Sequence, residues 1–126
     1  MPVMQGSDQT PNSAAAAAAE VGVHRGELSV VLTARGDFDA VTSPDLQDAI
    51  AEVFVDPPPV LVIDLTETSF IGSAAIAALI EAQRNAGTRT SVRLVAPHNV
   101  RRVLGLLGLD QQFVLHDTVR SAVAAE

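Results

Sequence analysis

Residues 60–65 read Val-Leu-Val-Ile-Asp-Leu, a nearly unbroken branched apolar run behind Pro57-Pro58-Pro59 and the pattern of a strand covered on both faces. Helical spacing follows over residues 74–86, with Ile76, Leu79, Ile80 and Gln83 along one face and Gly87 placed to end the helix in a left-handed conformation. Between them lies a short polar turn, so Ser73 is expected to open the helix. Upstream, residues 21–24 and 28–34 are predicted strands joined across Arg25-Gly26-Glu27 as an antiparallel hairpin. The second ends in a turn, Gly36-Asp37-Phe38-Asp39. Thr42-Ser43-Pro44-Asp45 then supplies a cap, a proline for the first helical position and an acid for the first turn. Leu46, Ala49, Ile50 and Val53 form the stripe of that first helix, which is expected to stop at Asp56 before the prolines. Downstream, residues 91–95 alternate as a strand. A third helix after Pro97 turns Val100, Val103, Leu104 and Leu107 inward and Arg101 and Arg102 outward, with Gly108 behind it. Residues 112–115 form a last strand, and Asp117 is expected to cap a terminal helix holding Val119, Ala122 and Val123.

Strands alternating with helices predict an α/β fold: one mostly parallel mixed sheet with an antiparallel N-terminal hairpin and four helices. The domain is expected over residues 20–126. Residues 1–19 are expected to be a flexible low-complexity tail, since Gly6, Ser7, Asp8, Pro11, Asn12 and Ser13 lead into six alanines, too few for a stable isolated helix in water. The tail has no basic residue and no branched apolar core, so it is not a secretory signal. No later stretch nears the roughly 18 apolar residues of a membrane span, and a cytoplasmic protein without membrane partners is expected. In sheets of this kind functional groups gather where strands end and helices begin. Ser73 lies at one such place and the Asp37–Asp39 turn at another.

Composition narrows the chemistry. With 126 residues, 48% of them hydrophobic, the chain has material for one core. Its formal net charge of −7 leaves no positive field for nucleic acid or an anionic membrane. All eight basic residues are Arg, which excludes a phosphate-loop lysine, a Schiff base and a Ser-Lys dyad. There is no Cys, and His24, His98 and His116 lack metal-ligand spacing, so neither metal nor cofactor is expected.

At a helix start, where N–H groups converge, the Ser73 hydroxyl reads as a helix cap worth about 1 kcal/mol, as a nucleophile, or as a place where phosphate is added and tolerated. The nucleophile fails on local grounds: Ile71 and Ala75 stand where a G-x-S-x-G elbow needs glycines. Four Phe are the only aromatic residues available to line a substrate pocket, and the chain is not expected to be an enzyme. Asp37 and Asp39 fit turn chemistry, and Asp64 fits a hydrogen-bonding role at a strand end.

Taken together these segments resemble a STAS domain of the anti-sigma factor antagonist type, over about residues 20–126. Gly36-Asp37-Phe38-Asp39 resembles the family's Gly-Glu-Leu-Asp turn, and Leu61-Val62-Ile63-Asp64-Leu65 its central strand. Thr68-Ser69-Phe70-Ile71-Gly72-Ser73-Ala74-Ala75 resembles its phosphorylation loop, usually an apolar pair followed by Asp-Ser-Ser/Thr-Gly. The run from Pro97 to Gly108, then Phe113, resembles its closing helix and strand. In two places the chain departs: Gly72 stands for the usual Asp, removing a carboxylate, and Ala75 for the usual Gly, adding a methyl group. The resemblance implies a binding module that engages an anti-sigma factor, often itself a serine kinase, and so frees a sigma factor. Phosphorylation of the serine at the helix start breaks the complex. Carried over by position, Ser73 is the acceptor, and Asp37, Asp39, Thr42, Ser69, Gly72, Ser73, Ala74 and Ala75 form the partner surface. The alternative is a STAS interaction subunit of a transport or stress-signalling complex that is never phosphorylated.

Overall fold

The computed structural model describes residues 19–125. The expected tail, apart from Ala19, lies outside them. β1 (Glu20–Arg25) and β2 (Ser29–Phe38) form the expected antiparallel hairpin, closed where the Gly26 N–H donates to the Ser29 carbonyl at 2.7 Å. β3 (Val60–Asp64) and β5 (Ser91–Val95) lie parallel to β2, followed by β6 (Val114–His116), in the order β1-β2-β3-β5-β6. The connections are α1 (Ser43–Val53), α2 (Ser73–Ala86) and α3 (His98–Leu106), and α4 (Val119–Ala124) closes the described chain.

One element is absent from the sequence reading. β2 has 10 residues and β3 only 5, so β2 overruns its partner and leaves an unpaired edge. Thr68–Ile71 fills it as a strand, β4, parallel to β2 over Gly36–Phe38 with a register shift between Gly36 and Asp37. Two expectations are thereby corrected. The segment before Ser73 is a strand and not merely a polar turn, and Gly36-Asp37-Phe38 is a strand end whose Phe38 side chain is 1% exposed. Gly36 bends the strand at a φ of 94°, which a side chain would resist.

The main core lies on one face of the sheet. Leu32, Phe38, Leu61, Ile63 and Leu94 from the strands meet Leu46 and Ile50 of α1, Leu79 of α2 and Leu104 of α3. The other face has a smaller cluster of Val62 and Val95 under Ala122 of α4. Beside it Arg93, 7% exposed, donates from Nη1 to the carbonyls of Ala122 (2.6 Å) and Ala125 (2.7 Å) and from Nε to Ser91 Oγ (3.2 Å). A buried guanidinium thus satisfies carbonyls that the end of a helix leaves unpaired.

Smaller differences have local causes. α1 ends at Val53, before Asp56. Thr118, not Asp117, caps α4, with its hydroxyl accepting from the Ser121 N–H at 3.0 Å. Asp117 instead accepts from Arg101 Nη2 at 2.9 Å, so Arg101 is held across to β6 and does not simply face solvent. Gly87 has the expected positive φ, 54°, and Gly108, behind α3, also has one, 72°. Among the described residues no helix is long and apolar enough to cross a membrane.

Candidate functional site

The overrun of β2 creates the site by bringing two helix starts together. β4 is fixed first. Thr68 is 3% exposed, its hydroxyl donates to the Ala34 carbonyl at 2.7 Å, and its N–H donates to the Leu65 carbonyl at 3.0 Å. Ile71 enters the core while Ser69 and Phe70 stay exposed. From the start of α3, Asn99 Nδ2 donates to the carbonyls of Thr68 and Ser69, both at 3.2 Å. The Gly72 N–H then donates to the Phe38 carbonyl at 2.8 Å, and α2 begins.

Gly72, not Ser73, is the N-cap of α2, in extended conformation at φ −93° and ψ −177° and with no side-chain cap bond. Any residue adopts that conformation, so what favours glycine here is space. A Cβ there would lie 3.3 Å from the Phe38 carbonyl oxygen and 3.3 Å from the Phe70 ring. Ser73 is the first helical residue and is exposed, which corrects the cap expectation. The first turn of α2 holds no acidic residue, so its positive dipole end is unopposed by the helix's own side chains. Ala74 is half-buried. Ala75, expected on the partner surface, is fully buried in the main core, because its position one turn before Leu79 faces inward. The structure therefore separates it from the other expected contact residues.

Asp37, Asp39 and Thr42 form the neighbouring loop. Asp39 Oδ1 accepts from the N–H groups of Val41 (2.9 Å) and Thr42 (3.0 Å). The Thr42 hydroxyl accepts from the Asp39 N–H at 2.9 Å and lies 2.7 Å from the Asp37 carbonyl and 3.0 Å from Asp39 Oδ1. The Thr42 N–H above all, then the Thr42 hydroxyl and the Val41 N–H, hold the Asp39 carboxyl below the usual carboxylate range. Thr42 is the N-cap of α1 by position, yet its side chain makes no bond forward into the helix. It serves the loop instead. Asp64 likewise has the expected strand-end role, accepting from the Thr66 N–H at 3.0 Å and from the Thr66 hydroxyl.

Pairing of Phe38 with Ile71 joins the two starts, so Asp37, Asp39 and Thr42 stand beside Ser69, Gly72, Ser73 and Ala74. The sequence reading missed three residues here. Ser43 is fully buried, its N–H bonded to the Asp39 carbonyl at 2.9 Å and its hydroxyl without a partner among the described residues. Phe70 is 51% exposed, and an aromatic ring directly before the Ser73 turn was a legible signal. Asn99, which binds β4 to α3, gave none.

A parallel-centred mixed sheet with an antiparallel first strand, and a serine exposed where a helix leaves it, are the features of a STAS-type fold. A sequence model of the STAS domain matches residues 18–122, and the chain belongs to that family. It is 37% identical over 94 residues to the anti-sigma-F factor antagonist RsfB of Mycobacterium tuberculosis, covering 74% of this chain and 77% of that one. It is 32% identical over 128 residues to the antagonist RsfA of the same organism, covering 98% of each. A solved anti-sigma factor antagonist from Mycobacterium paratuberculosis superposes with a TM-score of 0.82 at 35% identity, over 88% of this chain and 96% of that one. These names belong to regulatory binding proteins, not to enzymes.

Proposed function

We propose that this chain is an anti-sigma factor antagonist: it binds an anti-sigma factor, thereby frees a sigma factor, and loses its partner when Ser73 is phosphorylated. The contact surface in this reading is Asp37, Asp39, Thr42, Ser69, Gly72, Ser73 and Ala74, and the compartment is the cytoplasm, where sigma factors act. The observation that supports it most is the exposed Ser73 at the first position of α2, next to a cap, Gly72, that offers no side chain. A phosphate adds about −1.5 to −2 charge, which the bare helix start accommodates. A partner surface shaped for a neutral hydroxyl meets repulsion and a desolvation cost instead. A loss of about 3 kcal/mol there weakens binding more than a hundredfold.

The test is to incubate the protein with purified anti-sigma factors of the serine-kinase type and ATP, locate phosphate by mass spectrometry, and titrate wild type, Ser73→Ala and Ser73→Glu against the partner. Phosphate on Ser73, with binding retained by Ser73→Ala and lost by Ser73→Glu, supports the switch. A second reading, a STAS interaction subunit that is not phosphorylated, draws on Gly72, where the usual carboxylate is gone and a Cβ would be crowded. Equal binding by both variants with no phosphate at Ser73 favours it.

A further inference from the structure

β4 does more than lead into Ser73. Its outward residues and α3 enclose an open groove of about 450 Å³, lined by Ser69, Phe70, His98, Arg102, Val103 and Leu106 among others. The Phe70 ring rests against Gly72, near enough that a Cβ there would meet it at 3.3 Å, and the residue is 51% exposed. Leu106 is 78% exposed. Arg35, Arg84 and Arg101 are each paired with a carboxylate, whereas among the described residues Arg102 has none within ion-pair distance. No residue lining the groove is acidic, in a chain whose net charge is −7. The groove is therefore a local cationic and apolar spot on an acidic protein.

We infer that this groove is the second half of the partner surface, taking an apolar side chain of the anti-sigma factor against Phe70 and Leu106 and a neighbouring carboxylate on Arg102; the inference rests on the function proposed above. Three observations favour that occupant. An aromatic ring and a free guanidinium are the side chains that most often dominate protein interfaces, and the guanidinium fits a carboxylate with two parallel bonds. The groove is an open surface and not an enclosed cavity, which suits a protein segment better than a small molecule. It is also continuous with the acceptor site, since Phe70 precedes Ser73 by three residues. The Asn99 bridge to the Thr68 and Ser69 carbonyls holds its two walls together before a partner arrives, which lowers the ordering cost of binding. The glycine at position 72 acquires a reason: it leaves room for the ring that reaches from the acceptor site to the groove.

The experiment uses the anti-sigma factor that wild type binds most tightly in the titrations above. Phe70→Ala and Arg102→Glu are each expected to lower affinity about tenfold or more, and Leu106→Ser to lower it less. Melting temperatures of the variants are expected to match wild type, because the altered side chains are exposed. Amide exchange of the complex is expected to show protection over residues 98–106. If Phe70→Ala and Arg102→Glu bind as wild type while Ser73→Glu does not, the groove inference falls and the proposed function stands. If wild type binds no anti-sigma factor, both fall. If the two groove variants instead abolish self-association of the free chain, the occupant is a second copy and the inference is overturned.

Discussion

The starts of α1 and α2 stand side by side on two paired strand ends and are finished in opposite ways. Ahead of α1, Asp39 and Thr42 satisfy each other's backbone groups, and the Thr42 hydroxyl reaches back to the Asp37 carbonyl. The loop consumes its own polar groups. Ahead of α2 the cap is a glycine held by a backbone bond to Phe38, with no side chain of its own to bond, whereas the N–H groups of both helix starts lack a side-chain cap. A helix start left this way forgoes about 1 kcal/mol of capping. The comparison separates a start built for shape from one left open to an anion, and the first fixes the strand edge on which the second stands.

Four substitutions or conditions probe that contrast. The largest effect is expected at the open start: Ser73→Glu weakens binding of the anti-sigma factor by about 3 kcal/mol, more than a hundredfold, with an unchanged melting temperature, as read by calorimetric titration and thermal unfolding. At the closed start, Thr42→Val deprives the Asp39 N–H and the Asp37 carbonyl of their shared hydroxyl. Urea unfolding should show a loss of about 2 kcal/mol. Restoring the family's usual residue by Gly72→Asp sets a small capping gain against crowding at Phe38 and Phe70, a net loss of about 1 kcal/mol. Half or more of that loss should vanish in a Phe70→Ala background, which a double-mutant cycle measures directly.

The smallest effect is expected from acid. The folded carboxyl of Asp39 is held below its unfolded value of about 3.9. Its contribution is present above that value and is lost as pH falls through the lower, folded one. Urea midpoints of wild type and Asp39→Asn measured from pH 6 downward should therefore converge in the acid range, because Asn retains the acceptor oxygen but not the charge. A gap that stays constant across the series would show that the loop does not depend on ionisation.

Much of this architecture was legible because core strands and helices carry their periodicity locally. β3, β5 and α2 were found where their apolar residues predicted them. β4 was not, because Thr-Ser-Phe-Ile, although three of its residues favour strands, is only four residues long and does not alternate between buried and exposed. It exists because β2 is longer than β3 and offers an edge, a fact about two distant segments. Burial of Phe38 at the end of β2 has the same origin. At the site, the positions of Asp37, Asp39, Thr42 and Ser73 were readable, but their roles were not. Ser73 and Gly72 differ as cap by one residue, which spacing does not resolve, and Ala75 becomes core with Ala78 and Ala82, small residues that the stripe of larger apolar side chains did not include. Arg93 fitted its strand as one more alternating polar residue, and only the three-dimensional path of α4 reveals what it holds.

That arginine sets where the folded unit has to reach. α4 buries one of its own residues, Ala122, but it covers Val62 and Val95 on that face of the sheet, so a chain cut after β6 would bare them to water. Arg93 adds to that loss, because its guanidinium donates from Nη1 to the carbonyls of Ala122 and Ala125 and a cut there would remove both acceptors and leave that nitrogen to water alone. The far boundary of the domain is thus drawn by the face α4 covers and by the oxygen atoms it gives Arg93, and a shortened version keeps both only if it retains residues 119–125.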